Sequence, residues 1–495
     1  MKLLRNSSYA LLGSIVPTLV SIVTVPFYIS AIGAERYGVL AIAWLVLGYF
    51  GASDLGIGRA ITQRISAMRG ESRAAMAGAV WSALVSMIVF GLIGALALFA
   101  FAAWYFAGPF QVEAGLRREI LSALWILALG NPLMAVSGVL SGALVGLERF
   151  RLVSLSNVIS NSALLLFPLG VALLVSIDLS ALILAAMAAR LLGAAMLAAG
   201  VWGAFLRGER LAFSRTEFKR LANFGAWIML TAVVGPVMVY ADRFVIGAVQ
   251  DAAAVAAYAI PFQIASRTLI FPMAVIQALF PRFASEAHES SRERCREFVS
   301  FVGQLFAPLI IGLICLADPL LSLWLGASLD PRSVAVAQVV LAGFWINAVA
   351  NVPYAFIQAR GNPRFTALLH VAELPLYLAM LFVLGARYGL AGFAAAFALR
   401  CALDCVLLCR KAGAADREVA LRLIAPMLLV GAALLAGSRI ADWWLLLAAA
   451  IGLGGLALGA LVLGLPGPIR SRLAQLPLLR GRLGILMLRP RSGDS

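Results

Sequence analysis

Five arginines, Arg59, Arg190, Arg243, Arg267 and Arg400, lie inside stretches of sequence that otherwise carry almost no charge. A guanidinium keeps its proton at any physiological pH, and its planar fork of N–H donors matches the oxygens of a phosphate two at a time. No lysine accompanies them in those stretches. Such a set predicts a site for an anion, with phosphate the closest chemical match; a pocket for cationic drugs would want the opposite charge. The same stretches hold Asp54, Asp242, His370, Glu373 and Asp404. These are candidate ion-pair partners for the arginines, or carriers of a coupling proton or sodium ion.

Spacing sorts these groups. Asp54 and Arg59 stand five residues apart, about 140° around a helix, so they make a poor intrahelical pair. Arg59 is also near enough to the end of its stretch to reach the headgroups. Asp242 and Arg243 are adjacent, and each is expected to need a separate partner. Asp404 follows Arg400 by one turn, which makes a structural ion pair the simplest reading there. Arg190 is mid-span. Arg267 stands at the midpoint of an expected helix, 253–281, with no acidic residue within a turn of it in sequence. A charge at that depth costs at least ~2.5 kcal/mol unless it meets water, a partner or a ligand. Arg267 is therefore the leading candidate to line a wet cavity or grip an anionic substrate.

The elements that must position these groups are membrane helices. The chain is 63% hydrophobic and 13% charged, where a soluble domain is nearer one half and one quarter. Its apolar residues come in runs of about 20, enough for a helix to cross the hydrocarbon; barrel strands would be half as long and would alternate. The expected fold is an all-α polytopic membrane protein of about fourteen helices: 9–32, 37–62, 76–106, 119–145, 153–176, 179–206, 221–249, 253–281, 297–317, 333–357, 366–385, 388–409, 419–438 and 442–464. The first run is too long for a signal-peptide core and reads as a retained helix. A short interfacial helix is expected in 318–332. Cys295 is expected in a polar loop, and Cys401, Cys405 and Cys409 share a helix face, where a stripe of small packing side chains outweighs a metal site.

With the amino terminus inside, cytoplasmic segments hold 28 of the 39 Lys and Arg residues, the outer segments six, and the spans five. That asymmetry orients the chain with both termini in the cytoplasm. It also accounts for the net charge of +16, which faces anionic headgroups, so no nucleic-acid partner is expected. The loops are too short to hold a soluble catalytic domain. No Asp-x-Asp, zinc spacing or nucleotide-binding glycine loop is present, so neither a cofactor nor an enzyme is expected.

An internal repeat is visible. GLERF at 146–150 aligns with GNPRF at 361–365, each at the cytoplasmic exit of a helix. Mid-span Arg190 and Arg400 then fall at comparable distances beyond the next outer turn. This predicts two six-helix lobes, 1–206 and 207–411, as a parallel pseudo-repeat around a central cavity. Two further helices at 412–464 and a basic cytoplasmic tail at 465–495 follow. Transporters use this architecture.

The opening run NSSYALLGSIVPTLVSIVTVPFYISAIGAERYGVLAIAW, followed by GYFGASDLGIGRAITQRIS, resembles the start of bacterial polysaccharide-transport flippases, the Wzx-like O-antigen and exopolysaccharide exporters of the MOP superfamily. ADRFVIG, YAIPFQ, ALFPRF and the GLERF exit are similar to further landmarks of that family, and the likeness covers about the first 410 residues. The resemblance implies two lobes that alternate their access to either side of the bacterial inner membrane. It implies a lipid-linked oligosaccharide on undecaprenyl pyrophosphate as substrate, with membrane lipids and polymerase or export proteins as partners. Asp54 and Arg59 would then line the inner mouth of the cavity. Competing readings are a multidrug or toxin extruder or a peptidoglycan-precursor flippase of the same superfamily, and, from another class, a membrane-embedded O-antigen ligase or polymerase. The orientation has a direct test. Cysteines introduced at Gly208 and Gly361 are expected to react with an impermeant thiol reagent only from the cytoplasmic side, and one at Ala327 only from outside; outside labelling at 208 would overturn it.

Overall fold

The computed structural model describes residues 2–52, 57–68, 70–210, 212–219 and 238–464. Every long regular element among them is helical: α1 (Lys2–Ala52), α2 (Ile57–Ala67), α3 (Arg73–Ala107), α4 (Ala114–Gly146), α5 (Phe150–Leu174), α6 (Leu179–Val201), α7 (residues 238–249), α8 (Ala252–Arg267), α9 (Ile270–Ser285), α10 (His288–Cys315), α11 (Ala317–Leu325), α12 (Arg332–Ala359), α13 (Pro363–Ala412), α14 (Arg417–Arg439) and α15 (Trp443–Gly464). Among the described residues ten helices are long and apolar enough to cross a membrane, eleven if α8 and α9 form one bent span. The chain is a multi-pass membrane protein.

Two of these helices are hairpins. Tyr28 and Trp44 lie sixteen residues apart, about 24 Å along a straight helix, yet their ring centroids are 5.2 Å apart. The chain doubles back at Gly33, whose φ of 77° suits glycine. The second hairpin is α13, with its pivot at Gly389 (φ 60°). Gly385 and Gly392 flank that pivot, and a Cβ on Gly392 would stand 1.9 Å from the Leu384 carbonyl oxygen. Only glycine lets the two limbs approach this closely, and the turn leaves almost no unpaired backbone at the membrane edge.

Packing divides the chain into two compact units, Met1–Ile260 and Pro261–Ser495. In the first unit, small residues and hydroxyls bind helix to helix. Ser156 Oγ on α5 donates to the Gly193 carbonyl on α6 at 2.9 Å, and Thr62 Oγ1 on α2 donates to the Gly142 carbonyl on α4 at 2.9 Å. In hydrocarbon, helices associate through such close contacts and hydrogen bonds. In the second unit α12 lies along α13, and Trp345 Nε1 ties α12 to the Gly303 carbonyl of α10 at 2.8 Å. α14 and α15 both pack on α10, so they are integral to this unit.

α4 and α12 are each followed by a sharp turn into the next helix. Each turn passes through a left-handed residue, Glu148 (φ 60°) and Gly361 (φ 79°). Two expectations change. α10 is already helical at His288, so Cys295 is a fully buried helical residue and not part of a loop. Span 253–281 is broken: α8 ends at Arg267, α9 starts at Ile270, and the two meet at 43°. Pro272 explains the break, because it lacks the N–H that would bond to the carbonyl of residue 268 and its ring crowds that carbonyl. The short helix expected in 318–332 is α11, which begins at Ala317.

A Cβ on Gly193 would lie 2.5 Å from Ser160 Cβ, whereas one on Gly170 would meet nothing within 4 Å. Gly193→Ala is therefore expected to destabilise the purified protein by about 1–3 kcal/mol through overpacking. Gly170→Ala should match or exceed the wild type, since alanine favours a helix by roughly 0.5–1 kcal/mol. Thermal unfolding in detergent distinguishes the two.

Candidate functional site

The intramembrane charges fall into three settings. In the first unit, α5 and α6 face each other through Ser156, Ser160 and Gly193, and Arg190 extends into this seam from α6. It is 8% exposed. Its Nη1 donates to Asn161 Oδ1 at 2.8 Å and, more weakly, to Ser160 Oγ at 3.5 Å. Its Nε is buried with no hydrogen-bond acceptor, and no carboxylate among the described residues forms a salt bridge with it. A full positive charge is thus held by neutral side chains alone, with donors left over.

The second setting is closed. Asp242 and Arg243 on α7 were expected to face separate partners, but they pair with each other: Arg243 Nη1 reaches Asp242 Oδ1 at 2.6 Å, and both side chains are buried. The arginine also donates to the Val239 carbonyl at 2.8 Å. Tyr258 on α8 donates to the other carboxylate oxygen at 2.8 Å, and the rings of Tyr240 and Tyr258 flank the guanidinium. Adjacent Cβ atoms do diverge, but an arginine is long enough to fold back over its neighbour. This cluster fastens α7 to the start of α8.

The third setting lies in the α13 hairpin. Folding at Gly389 brings His370 and Glu373 on the first limb against Asp404 on the second. The donor atoms of these three lie within 4.8 Å of one another, and His370 Nε2 is 3.6 Å from Asp404 Oδ1. Glu373 is 4% exposed and Asp404 5%, and among the described residues neither oxygen of Glu373 has a hydrogen-bond partner. The expected Arg400–Asp404 pair does not form. Arg400 instead lies over the rings of Tyr377 and Phe397, 5.5 Å from each centroid, with Nη2 3.3 Å from Cys401 Sγ. Tyr354 on α12 stacks on the His370 imidazole.

Of the remaining candidates, Arg267 is exposed at the end of α8, beside the break and not within a continuous helix. Asp54 lies outside the described residues, and for Arg59 only its place on α2 is described. The cysteines are unpaired, and Cys401 and Cys409 are buried. Sequence reasoning missed Tyr258 and Tyr377 as partners of the charges. Their one signal was an aromatic hydroxyl inside a span, which needs a partner when buried.

A helical membrane protein with charged clusters buried in the interior of its helix pairs is the build of a transporter, and solved structures of transporters share this fold. The chain superposes on the lipid II flippase MurJ in an inward closed conformation with a TM-score of 0.70, at 13% identity, covering 92% of this chain and 98% of that one. An inward-facing multidrug resistance MATE family transporter of the MOP superfamily gives a TM-score of 0.65, also at 13% identity, over 83% and 98%. At such identities these likenesses establish the fold. Sequence then supplies the family: residues 3–287 match the profile of the polysaccharide biosynthesis proteins, and the chain belongs to that family. A Shigella flexneri protein provisionally named an O-antigen transporter is 30% identical over 409 residues, 82% of this chain and 97% of its own. The chain is thus a membrane protein of the polysaccharide biosynthesis family that shares the fold of solved transporters.

The closed cluster gives a stability prediction. Arg243→Ala leaves Asp242 buried and unpaired, and is expected to cost about 3–5 kcal/mol and most of the membrane-inserted protein. Tyr258→Phe removes one hydrogen bond to a charged group, about 1.5–3 kcal/mol. SDS-titration unfolding in mixed micelles should rank them in that order.

Proposed function

We propose that this chain flips an oligosaccharide carried on undecaprenyl pyrophosphate from the inner to the outer leaflet of the bacterial inner membrane, by alternating access, for export of a polysaccharide of the O-antigen class. Family membership and the 30% identity to the Shigella flexneri protein support the sugar. The Lys and Arg asymmetry supports the orientation, with both termini cytoplasmic. Polymerase and export proteins would take the product on the outer face.

The observation that carries the anionic headgroup is Arg190. It is buried, and among the described residues it has no carboxylate partner and its Nε is unsatisfied. Desolvating a guanidinium without a counter-charge is unfavourable, and a pyrophosphate oxygen pair would offset that cost through two parallel charge-assisted bonds. Asn161 orients the arginine and is itself a polar group that a sugar could engage. Arg267 is the second candidate: it sits at a break in a membrane helix, where unwound backbone commonly meets substrate or ion. Arg243 is less suited, since its charge is committed to Asp242.

Multidrug extrusion is the second reading. The buried carboxylates Glu373 and Asp404 favour it, because a cationic drug wants acids. It predicts that expression lowers sensitivity to cationic dyes, whereas the flippase reading predicts restored surface polysaccharide in a strain lacking its own flippase.

In that strain, Arg190→Lys is expected to retain partial surface polysaccharide, since lysine keeps the charge but loses the fork. Arg190→Ala should export at least tenfold less, corresponding to about 1.4 kcal/mol or more of lost substrate interaction. Lipid-linked repeat units should then accumulate on the inner leaflet while protein abundance stays near wild type. Wild-type export by a well-expressed Arg190→Ala protein would remove this residue from the mechanism.

A further inference from the structure

Among the described residues no candidate span is more deeply buried than α12, and its one open face has the wrong chemistry for lipid. Elsewhere in the second unit the outward faces of helices are apolar, as hydrocarbon requires, with Phe382 on α13, Leu428 on α14 and Ile451 on α15 exposed. Among the described residues α12 exposes no large apolar side chain. From Asn347 to its end every residue is buried except Asn347, Asn351, Tyr354, Gln358 and Ala359. Steps of four, three and four residues set the first four within about 60° of arc, in a stripe about 17 Å long. We propose that this polar stripe is a binding track for the oligosaccharide part of the transported molecule. The inference rests on the flippase reading for the carrier that brings the sugar.

The side-chain types select the ligand. A primary amide carries an acceptor oxygen and two donor hydrogens without net charge, and a sugar hydroxyl is likewise both donor and acceptor. The stripe holds no cation for a phosphate and no acid for a cationic drug. Tyr354 adds an aromatic ring, which suits the C–H face of a pyranose, and a phenol, which suits a hydroxyl. Polar groups facing lipid would lose their hydration with no return. Polar groups used to bind helix to helix are bonded across the seam, as Ser156 and Thr62 are. Asn351 Oδ1 and the Gln358 amide fit neither case: they are half-buried, and among the described residues no protein group bonds to them.

The stripe is held in place from behind. Asn351 Nδ2 donates to the Asn347 carbonyl at 2.8 Å and to Asn347 Oδ1 at 3.0 Å, and Asn347 is hydrogen-bonded to the Cys401 thiol on the second limb of α13. Asn347 is thus a positioning residue that fixes Asn351. The Tyr354 ring lies on the His370 imidazole, with centroids 5.8 Å apart and planes 7° from parallel. Asn347 stands near the middle of α12 and Gln358 at its end. With that end cytoplasmic, as the charge asymmetry places it, a sugar arriving from the inside meets Gln358 first and Asn351 deeper in the membrane. Arg190 and the track then have separate tasks, one for the charged carrier and one for the uncharged hydroxyls.

Two measurements test this. The first compares binding of two lipids to the full-length protein in nanodiscs: undecaprenyl pyrophosphate alone, and the same lipid carrying the repeat-unit oligosaccharide of the strain that encodes this chain. The wild type is expected to bind the second more tightly. Asn351→Leu and Gln358→Leu should each narrow that gap by roughly three- to tenfold. Their affinity for the bare lipid should stay at the wild-type value, which also shows that each variant is folded. Equal affinity of the wild type for the two lipids, or an undiminished gap in both variants, would overturn the track and leave the flippase reading standing. If the wild type binds neither lipid, the flippase reading fails and the second measurement decides the track.

That second measurement needs no carrier. In inside-out vesicles, Asn351→Cys and Gln358→Cys should react with a charged, impermeant thiol reagent above the wild-type background, read at each position by peptide mass spectrometry. Val371→Cys, on the exposed apolar face of α13, should not react. The free oligosaccharide, cleaved from its lipid by mild acid, should slow the reaction at both positions, and glycerol at the same concentration should not. Cysteines that stay unreactive at both positions, or rates that the oligosaccharide leaves unchanged, would overturn the track. Protection in a protein that binds neither lipid would uphold the saccharide site and remove only its carrier.

Discussion

Hydrocarbon offers neither a hydrogen-bond partner nor a counter-charge, and the rest of this structure follows from that constraint. It makes every long element a helix. It places turns at glycines 33 and 389, where a chain can reverse without exposing several unpaired amides. The hydroxyls of Ser156 and Thr62 are spent on neighbouring carbonyls across helix seams. Above all, it separates charges that are finished from charges that are waiting. Asp242, Arg243 and Tyr258 bind one another's charges and hydroxyl. Arg190, Glu373 and Asp404 are buried with polar atoms that no described residue satisfies.

Much of the fold was legible because the constraint is written into composition. α3, α4, α5, α6 and α12 lie within a few residues of the apolar runs that announce them, and the short helix in the outer loop was visible as well. What escaped was local. The charged stretch before α10 reads as a loop, since its residues avoid the membrane. Glu, Arg and Ser can nonetheless continue a helix into water, and α10 does so. At Arg267 the pattern stays apolar through Pro272, and periodicity alone does not register that one missing N–H ends a helix.

The site was half legible. His370, Glu373 and Asp404 were all recognisable as misplaced polar groups, but their pairing was misread because neighbours were sought along one helix. The hairpin supplies a better rule. Glu373 lies sixteen residues before Gly389 and Asp404 fifteen after it; Tyr377 lies twelve before and Arg400 eleven after. Equal distances from a glycine pivot bring residues side by side, so the register could have been counted from the turn outward. Arg190 carried a clearer signal: a lone cation with no acid near it in sequence has none near it in the described structure.

The seat of α14 and α15 against α10 bears on how the chain is made. Gln304 of α10 donates to the Arg422 carbonyl of α14, and 118 residues separate the two. At about 5–20 residues per second of synthesis, α10 waits roughly 6–24 seconds in the bilayer with an amide facing lipid. During that interval the Gln304 amide lacks the carbonyl it bonds to in the finished fold. The last two helices end the wait. Their role is thus in the order of assembly as much as in the finished fold, since a chain that stops before Arg422 leaves this bond of α10 unmade.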